Sequence, residues 1–261
     1  MHLSSGPDLP EYLREELRAV EQLTGKPLYV GTGCSTFDSE VHAAGPRDAV
    51  HTLQVNPAYA EHAAHFLANA VRKIRRLYEA PEHERYLAAV DVRRRLPADI
   101  ERDLRGRLRD VPEGPLLGMS RFLFYGLARQ VTSMPLDLRV ERELYEDLPV
   151  HRDTQVAYLE RQLRDLVPQF APEIEAMAPS ALYRASSSMN VALALGFGEI
   201  AEVDMDPVFE ASPHHGLGRE LNADLAAVTD HGLAGDRKAV DAWAHRLGLE
   251  GWFEWIRHDR R

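Results

Sequence analysis

The chain has 261 residues, 44% hydrophobic and 28% charged, with 31 basic and 41 acidic side chains and a formal net charge of −10. This composition excludes a disordered chain, provides enough apolar surface for a sizeable core, and suits one large or two small domains. The negative balance argues against general nucleic-acid binding, which depends on neutralising phosphates. The longest greasy run, Val191–Phe197, is far too short to span a bilayer, and Met1–Pro7 lacks the pattern of a secretory signal. A single cysteine, Cys34, leaves no internal disulfide and no cysteine zinc site, so the expected location is cytoplasmic. Only Lys26, Lys73 and Lys238 are lysines, a bias toward arginine that a GC-rich genome produces without functional demand.

In chain order, Tyr12, Leu13, Leu17, Val20 and Leu23 predict an amphipathic helix over 10–23, ended by Gly25-Lys26-Pro27. Leu28-Tyr29-Val30 and 49–55 read as strands, and Asn56-Pro57 breaks the second and opens a helix. Over 58–78 the residues Ala60, Ala64, Leu67, Val71, Ile74 and Tyr78 form one apolar stripe. The opposite face carries His65, Asn69, Arg72, Lys73 and Arg76, and its simplest reading is a solvated basic face. Helices are expected over 83–95 and 98–108, a linker over 111–115, then helices over 118–131, 136–148, 153–166 and 172–177. A small-residue-rich central helix follows over 179–200, a loop with a Pro-His-His-Gly tip over 206–219, and helices over 222–229 and 237–247. A Trp-rich tail, 252–255, completes the chain. The expected fold is α+β and predominantly α-helical, with a small N-terminal sheet, a long helix and a helical bundle. Regions 1–110 and 111–261 pack as one compact unit.

The chemical motifs are weak. Gly118-Met119-Ser120-Arg121-Phe122 fails as a nucleophile elbow because Phe122 crowds the tight turn. Gly196-Phe197-Gly198-Glu199-Ile200-Ala201 has dinucleotide-loop spacing, but helical residues precede it, which favours close helix packing. Cys34 has His42 and His51 near in sequence, with no spacing that demands a thiol–imidazole pair. His62 and His65, with Glu61 adjacent, have spacing that can place two imidazoles near one metal, and His214-His215 supplies a third ligand only if the fold brings it there. Solvent-facing histidines are the simpler expectation.

The run from His51 to Pro57, then Tyr59, a long helix and Arg76-Leu77-Tyr78, resembles the core of short intracellular zincin metallopeptidases. In that family a strand leads into a helix bearing His-Glu-x-x-His. The resemblance sets this motif on Asn69-Ala70-Val71-Arg72-Lys73, where the spacing survives without the chemistry. The segment 135–141 resembles the helix of the third ligand, matched to Glu141. Tyr183–Ser186, Met189-Asn190, Gly235-Asp236, Trp243-Ala244, 247–249 and Trp252 extend the likeness over 27–255.

The resemblance implies a zincin-like pseudoenzyme that keeps the scaffold and holds no cofactor. A Lys73–Glu141 ion pair, with Asn69 beside it, would stand where zinc and its ligand meet. The implied activity is binding of a protein, peptide or anionic ligand in the former substrate cleft, beside Arg72, Lys73 and Arg76. Two alternatives are a zinc-dependent hydrolase using Glu61, His62 and His65, and a structural subunit of a larger assembly.

Overall fold

The computed structural model describes residues 9–33 and 37–260, so the reading made for Cys34 lies outside the described residues. The first helix, α1 (Glu11–Thr24), buries Leu13 and Val20 and stops at Gly25, whose φ of 70° returns its N–H to the Glu21 carbonyl. Glycine reaches this left-handed cap without a Cβ penalty. Strands β1 (Leu28–Thr32), β2 (Ser39–His42) and β3 (His51–Val55) form a sheet in the order β1-β3-β2. β1 runs parallel to β3, with Leu28 opposite His51, and β2 runs antiparallel to it. His51, Leu53 and Val55 alternate inward, the period-two pattern of a half-buried strand.

Asn56 accepts a hydrogen bond from the Ala58 N–H and starts a 3-10 turn, Pro57–His62, which runs into α2 (Ala63–Glu79). The expected stripe is inside, with Leu67, Val71 and Ile74 buried. The expected solvated face is not outside. His65, Arg72 and Arg76 are also buried, because α2 has α1 and the sheet on one side and further helices on the other. A helix surrounded in this way hides its polar face as well as its apolar one.

Three local expectations are corrected. Residues 83–95 do not form a helix: a 3-10 turn, Glu82–Glu84, leads into β4 (Tyr86–Ala89), which pairs antiparallel with β5 (Glu254–Arg257) in the Trp-rich tail. The partner that decides this strand comes from the other end of the chain, beyond the reach of local periodicity. After α3 (Ala98–Arg107), the helices expected over 118–131 and 136–148 are one, α4 (Glu113–Asp147), which starts inside the expected linker and runs through Pro135. Packing of α4 against helices on both halves outweighs the loss of one backbone hydrogen bond at the proline. The expected loop over 206–219 contains the short α8 (Asp206–Phe209) and the start of α9 (His215–Ala227).

The remaining helices are α5 (Arg152–Leu166), α6 (Pro172–Met177), α7 (Ser180–Ala201) and α10 (Leu233–Leu247). α7 is the centre of the bundle, touching α4, α5 and α9. Its Gly196 and Gly198 are packing glycines: a Cβ on Gly196 would lie 2.4 Å from Leu138, and one on Gly198 would lie 2.5 Å from the Val203 carbonyl. The fold is therefore α+β and predominantly helical, with two apolar clusters. One gathers α1, the three-stranded sheet, α2 and the end of α4, and the other is the bundle around α7. Tyr158 on α5 packs against both.

Candidate functional site

The sequence-derived site residues meet along the seam between α2 and α4, in a different pairing from the one expected. Glu141 is fully buried and faces His65 and Asn69, which stand one turn apart on α2. His65 Nε2 lies 3.1 Å from Glu141 Oε1, and Asn69 Nδ2 donates to the same oxygen at 2.8 Å. Gln155 Nε2 donates to Glu141 Oε2 at 2.7 Å and to the Glu141 carbonyl at 2.6 Å. The pair that meets the carboxylate is thus His65 and Asn69, one turn upstream of the register drawn from the sequence. Lys73 does not reach Glu141. It pairs with Asp137 at 2.6 Å, one turn earlier on α4.

The network continues from His65 to α1. Tyr12 on α1 places its hydroxyl 2.8 Å from His151 Nδ1, and His151 Nε2 lies 3.3 Å from His65 Nδ1. If the hydroxyl donates, His151 carries its hydrogen on Nε2 and donates to His65, which donates from Nε2 to the carboxylate. Each bond in such a chain polarises the next. Burial pushes the His151 imidazole down to about 4, the neighbouring His65 adds to this, and Glu141 opposes it. For Glu141, burial would raise the carboxyl, yet the adjacent His65 and the hydrogen bonds from His65, Gln155 and Asn69 hold it below its ordinary value. The seam contains a buried, ionised carboxylate whose oxygens are occupied by side chains of this protein.

The arginines of α2 are occupied as well. Arg72 reaches Glu143 at 2.9 Å, Asp147 at 3.3 Å and Glu16 at 3.7 Å. Arg76 bonds Asp236 and Asp230, both at 2.6 Å, and Glu143 at 2.9 Å. Arg139 completes the cluster from α4, meeting Asp236 at 3.3 Å and donating to the Val228 carbonyl at 2.6 Å. The stripe that reads as basic in sequence is therefore neutralised by carboxylates from α1, α4, α10 and the loop before α10, and it offers no open face to an anion.

The alternative ligand set converges only in part, with His62 Nε2 3.8 Å from Glu61 Oε1. Glu61 pairs with Arg161 at the surface, His62 stands edge-on to Tyr158, and His65 points inward to Glu141. Among the described residues, no group of three or more His, Cys, Asp or Glu side chains is placed to hold a metal ion. At the seam the donor set is one imidazole nitrogen and one carboxylate, with carboxamides filling the other directions. Zinc asks for three protein ligands of the His or carboxylate kind, and this set does not fit it.

His151 and Gln155, which complete the network, have no place in the sequence-derived site. Their i, i+4 spacing at the start of α5 is a faint signal that they share a face. The acceptors Asp230 and Asp236 give no such signal, since only tertiary packing brings α10 to Arg76. No family model matches the chain, and neither a curated protein nor a solved structure matches it.

Proposed function

We propose that this protein acts by binding an anionic ligand on a helical scaffold, and not as a metal-dependent hydrolase. The observation that carries this reading is the occupancy of Glu141: His65, Asn69 and Gln155 take up both of its oxygens. A carboxylate committed in this way is a structural element, because freeing it for chemistry would leave a buried charge unpaired. Because the arginine cluster is neutralised, the binding surface in this reading lies away from α2.

Metal content and peptide hydrolysis of the purified protein test the reading. The expected result is no stoichiometric zinc and no metal-dependent cleavage. Stoichiometric zinc together with a zinc-dependent hydrolysis that disappears in His65→Ala would overturn it. Asn69→His sharpens the test by giving the seam two imidazoles one turn apart and a carboxylate. This variant is expected to acquire a zinc equivalent that the natural chain lacks.

A further inference from the structure

The His-His pair at the tip before α9 divides its roles. His215 turns to Asp206, with Nε2 2.8 Å from the carboxylate. His214 turns the other way, into a half-open cleft of about 660 Å³ bounded by α6, the N-terminal turns of α7 and the end of α3. That volume suits a small organic ligand. The base of the cleft is held by Arg107, which bonds Asp103 and Ser180 Oγ and closes the carbonyls of Glu175 and Ala176 at the end of α6. These bonds commit Arg107 to the scaffold.

The other polar groups of the cleft are uncommitted. His214 and Tyr183 are each only 8% exposed and stand edge-to-face with centroids 5.3 Å apart. Neither the imidazole nor the phenol hydroxyl has a hydrogen-bond partner among the described residues. Their polar atoms are not sealed inside the protein: both side chains line the open volume of the cleft, where a ligand can meet them. Burial lowers the His214 pKa, which leaves a neutral ring with one donor and one acceptor. Arg184 lines the same cleft one position after Tyr183. Its guanidinium is exposed and has no ion-pair partner among the described residues, unlike the arginines of the seam. Pro172, Pro213 and Ala176 supply apolar walls, and the exposed Glu175 carboxylate confines negative charge on a ligand to the Arg184 side.

We propose that this cleft binds a small organic oxyanion, a carboxylate or a phosphate ester, through the Arg184 guanidinium. The Tyr183 hydroxyl and the His214 imidazole hydrogen-bond its inner end. The planar guanidinium offers paired donors to either kind of anion, and the proline and ring surfaces take the apolar body. The proposal deepens the binding reading given above and rests on it. Its test is read at His214, so its failure is distinct from the appearance of zinc-dependent hydrolysis.

The probes are sodium benzoate and sodium phosphate, titrated against the whole protein. The His214 ring signals are followed by ¹H–¹³C NMR and assigned by their absence in His214→Gln. A saturable shift is expected with at least one probe. Benzoate alone identifies a planar carboxylate as the ligand group, and phosphate alone a phosphate ester. Arg184→Glu is expected to weaken the response about tenfold or more, since it removes a charge-assisted pair and adds repulsion. Tyr183→Phe is expected to weaken it roughly threefold, the worth of one neutral hydrogen bond. Arg142→Glu, an exposed change at an arginine outside the cleft lining, is expected to leave it unaltered. The absence of a saturable shift with both probes, or an equal response in Arg184→Glu, overturns the proposal.

Discussion

The seam between α2 and α4 and the cleft beside α7 are both lined by histidine, arginine and tyrosine, and they differ in what those groups bind. At the seam every sequence-derived side chain has a partner: Glu141 is shared by His65, Asn69 and Gln155, and Arg76 holds two aspartates and a glutamate. In the cleft, His214 and Tyr183 line open volume without a hydrogen-bond partner among the described residues, and the exposed Arg184 has no ion-pair partner among them. Residue type therefore does not separate a structural site from a binding site in this chain. Direction does: the polar groups of the seam point at one another inside the protein, and those of the cleft face open volume that a ligand can fill.

If the seam is structural, damage to it should be severe. Glu141→Ala leaves His65, Asn69 and Gln155 without their common acceptor, and breaking a buried, charge-centred network of this kind is expected to remove about 3–5 kcal/mol. Urea denaturation of the variant against the natural chain measures this. A loss under about 1 kcal/mol would place the seam among weak surface pairs, which contribute little.

The next effect is acid sensitivity. His51 is fully buried, accepts the Ala44 N–H at Nδ1 (2.8 Å) and meets the Thr24 hydroxyl at Nε2 (3.0 Å). Burial, followed by the nearby Lys26, His258 and His42, lowers it to about 4, the same value as His151. In both, the folded pKa lies below that of the unfolded chain, about 6.5, so the unfolded state binds more protons between those values. Stability is then full above about pH 6.5 and falls as the pH drops toward 4, by about 3 kcal/mol per histidine at the lower end. Both rings tie down α1, His151 through Tyr12 and His51 through Thr24. Tm measured from pH 7.5 to 4 is expected to fall, with a shallower slope in His51→Gln. A flat profile would remove the assignment of these rings as buried and neutral.

How far these sites are legible in the sequence depends on the range of the contacts that make them. The stripe at Leu67, Val71 and Ile74 and the glycine stop at Gly25 are local features, and the structure has them where the sequence puts them. The strand at Tyr86–Ala89 is set by its pairing with Glu254–Arg257, so its apolar run reads as helix in isolation. The polar face of α2 is misread for the same kind of reason, since Asp230 and Asp236 arrive from the far end of the chain. Glu141 and Asn69 do touch, but Lys73 goes to Asp137. A one-turn shift along a helix is invisible to spacing alone. The cleft was visible only as the residues Tyr183, Arg184 and His214, without any sign that they share a wall.

Two smaller effects sharpen the comparison. Gly196→Ala puts a methyl group against Leu138 at a site with no room, and overpacking of this kind is expected to cost about 1–3 kcal/mol. Denaturant midpoints against the natural chain measure it, and a neutral result would mean that α4 can step away from α7.

The smallest effect on stability is the most telling for function. Arg184→Ala removes a cation that is exposed and pairs with nothing among the described residues, so the expected change in unfolding free energy is within about 0.5 kcal/mol. The same substitution removes the charge that would receive the oxyanion. Loss of the His214 response to benzoate or phosphate should therefore accompany an unchanged Tm. Arg76→Ala is expected to do the reverse, destabilising the fold by leaving the buried Asp236 with Arg139 alone while leaving the His214 response of the remaining folded protein intact. If Arg184→Ala instead lowers Tm as Arg76→Ala does, its guanidinium is part of the scaffold. The distinction between an inward-facing seam and an open cleft would then no longer hold.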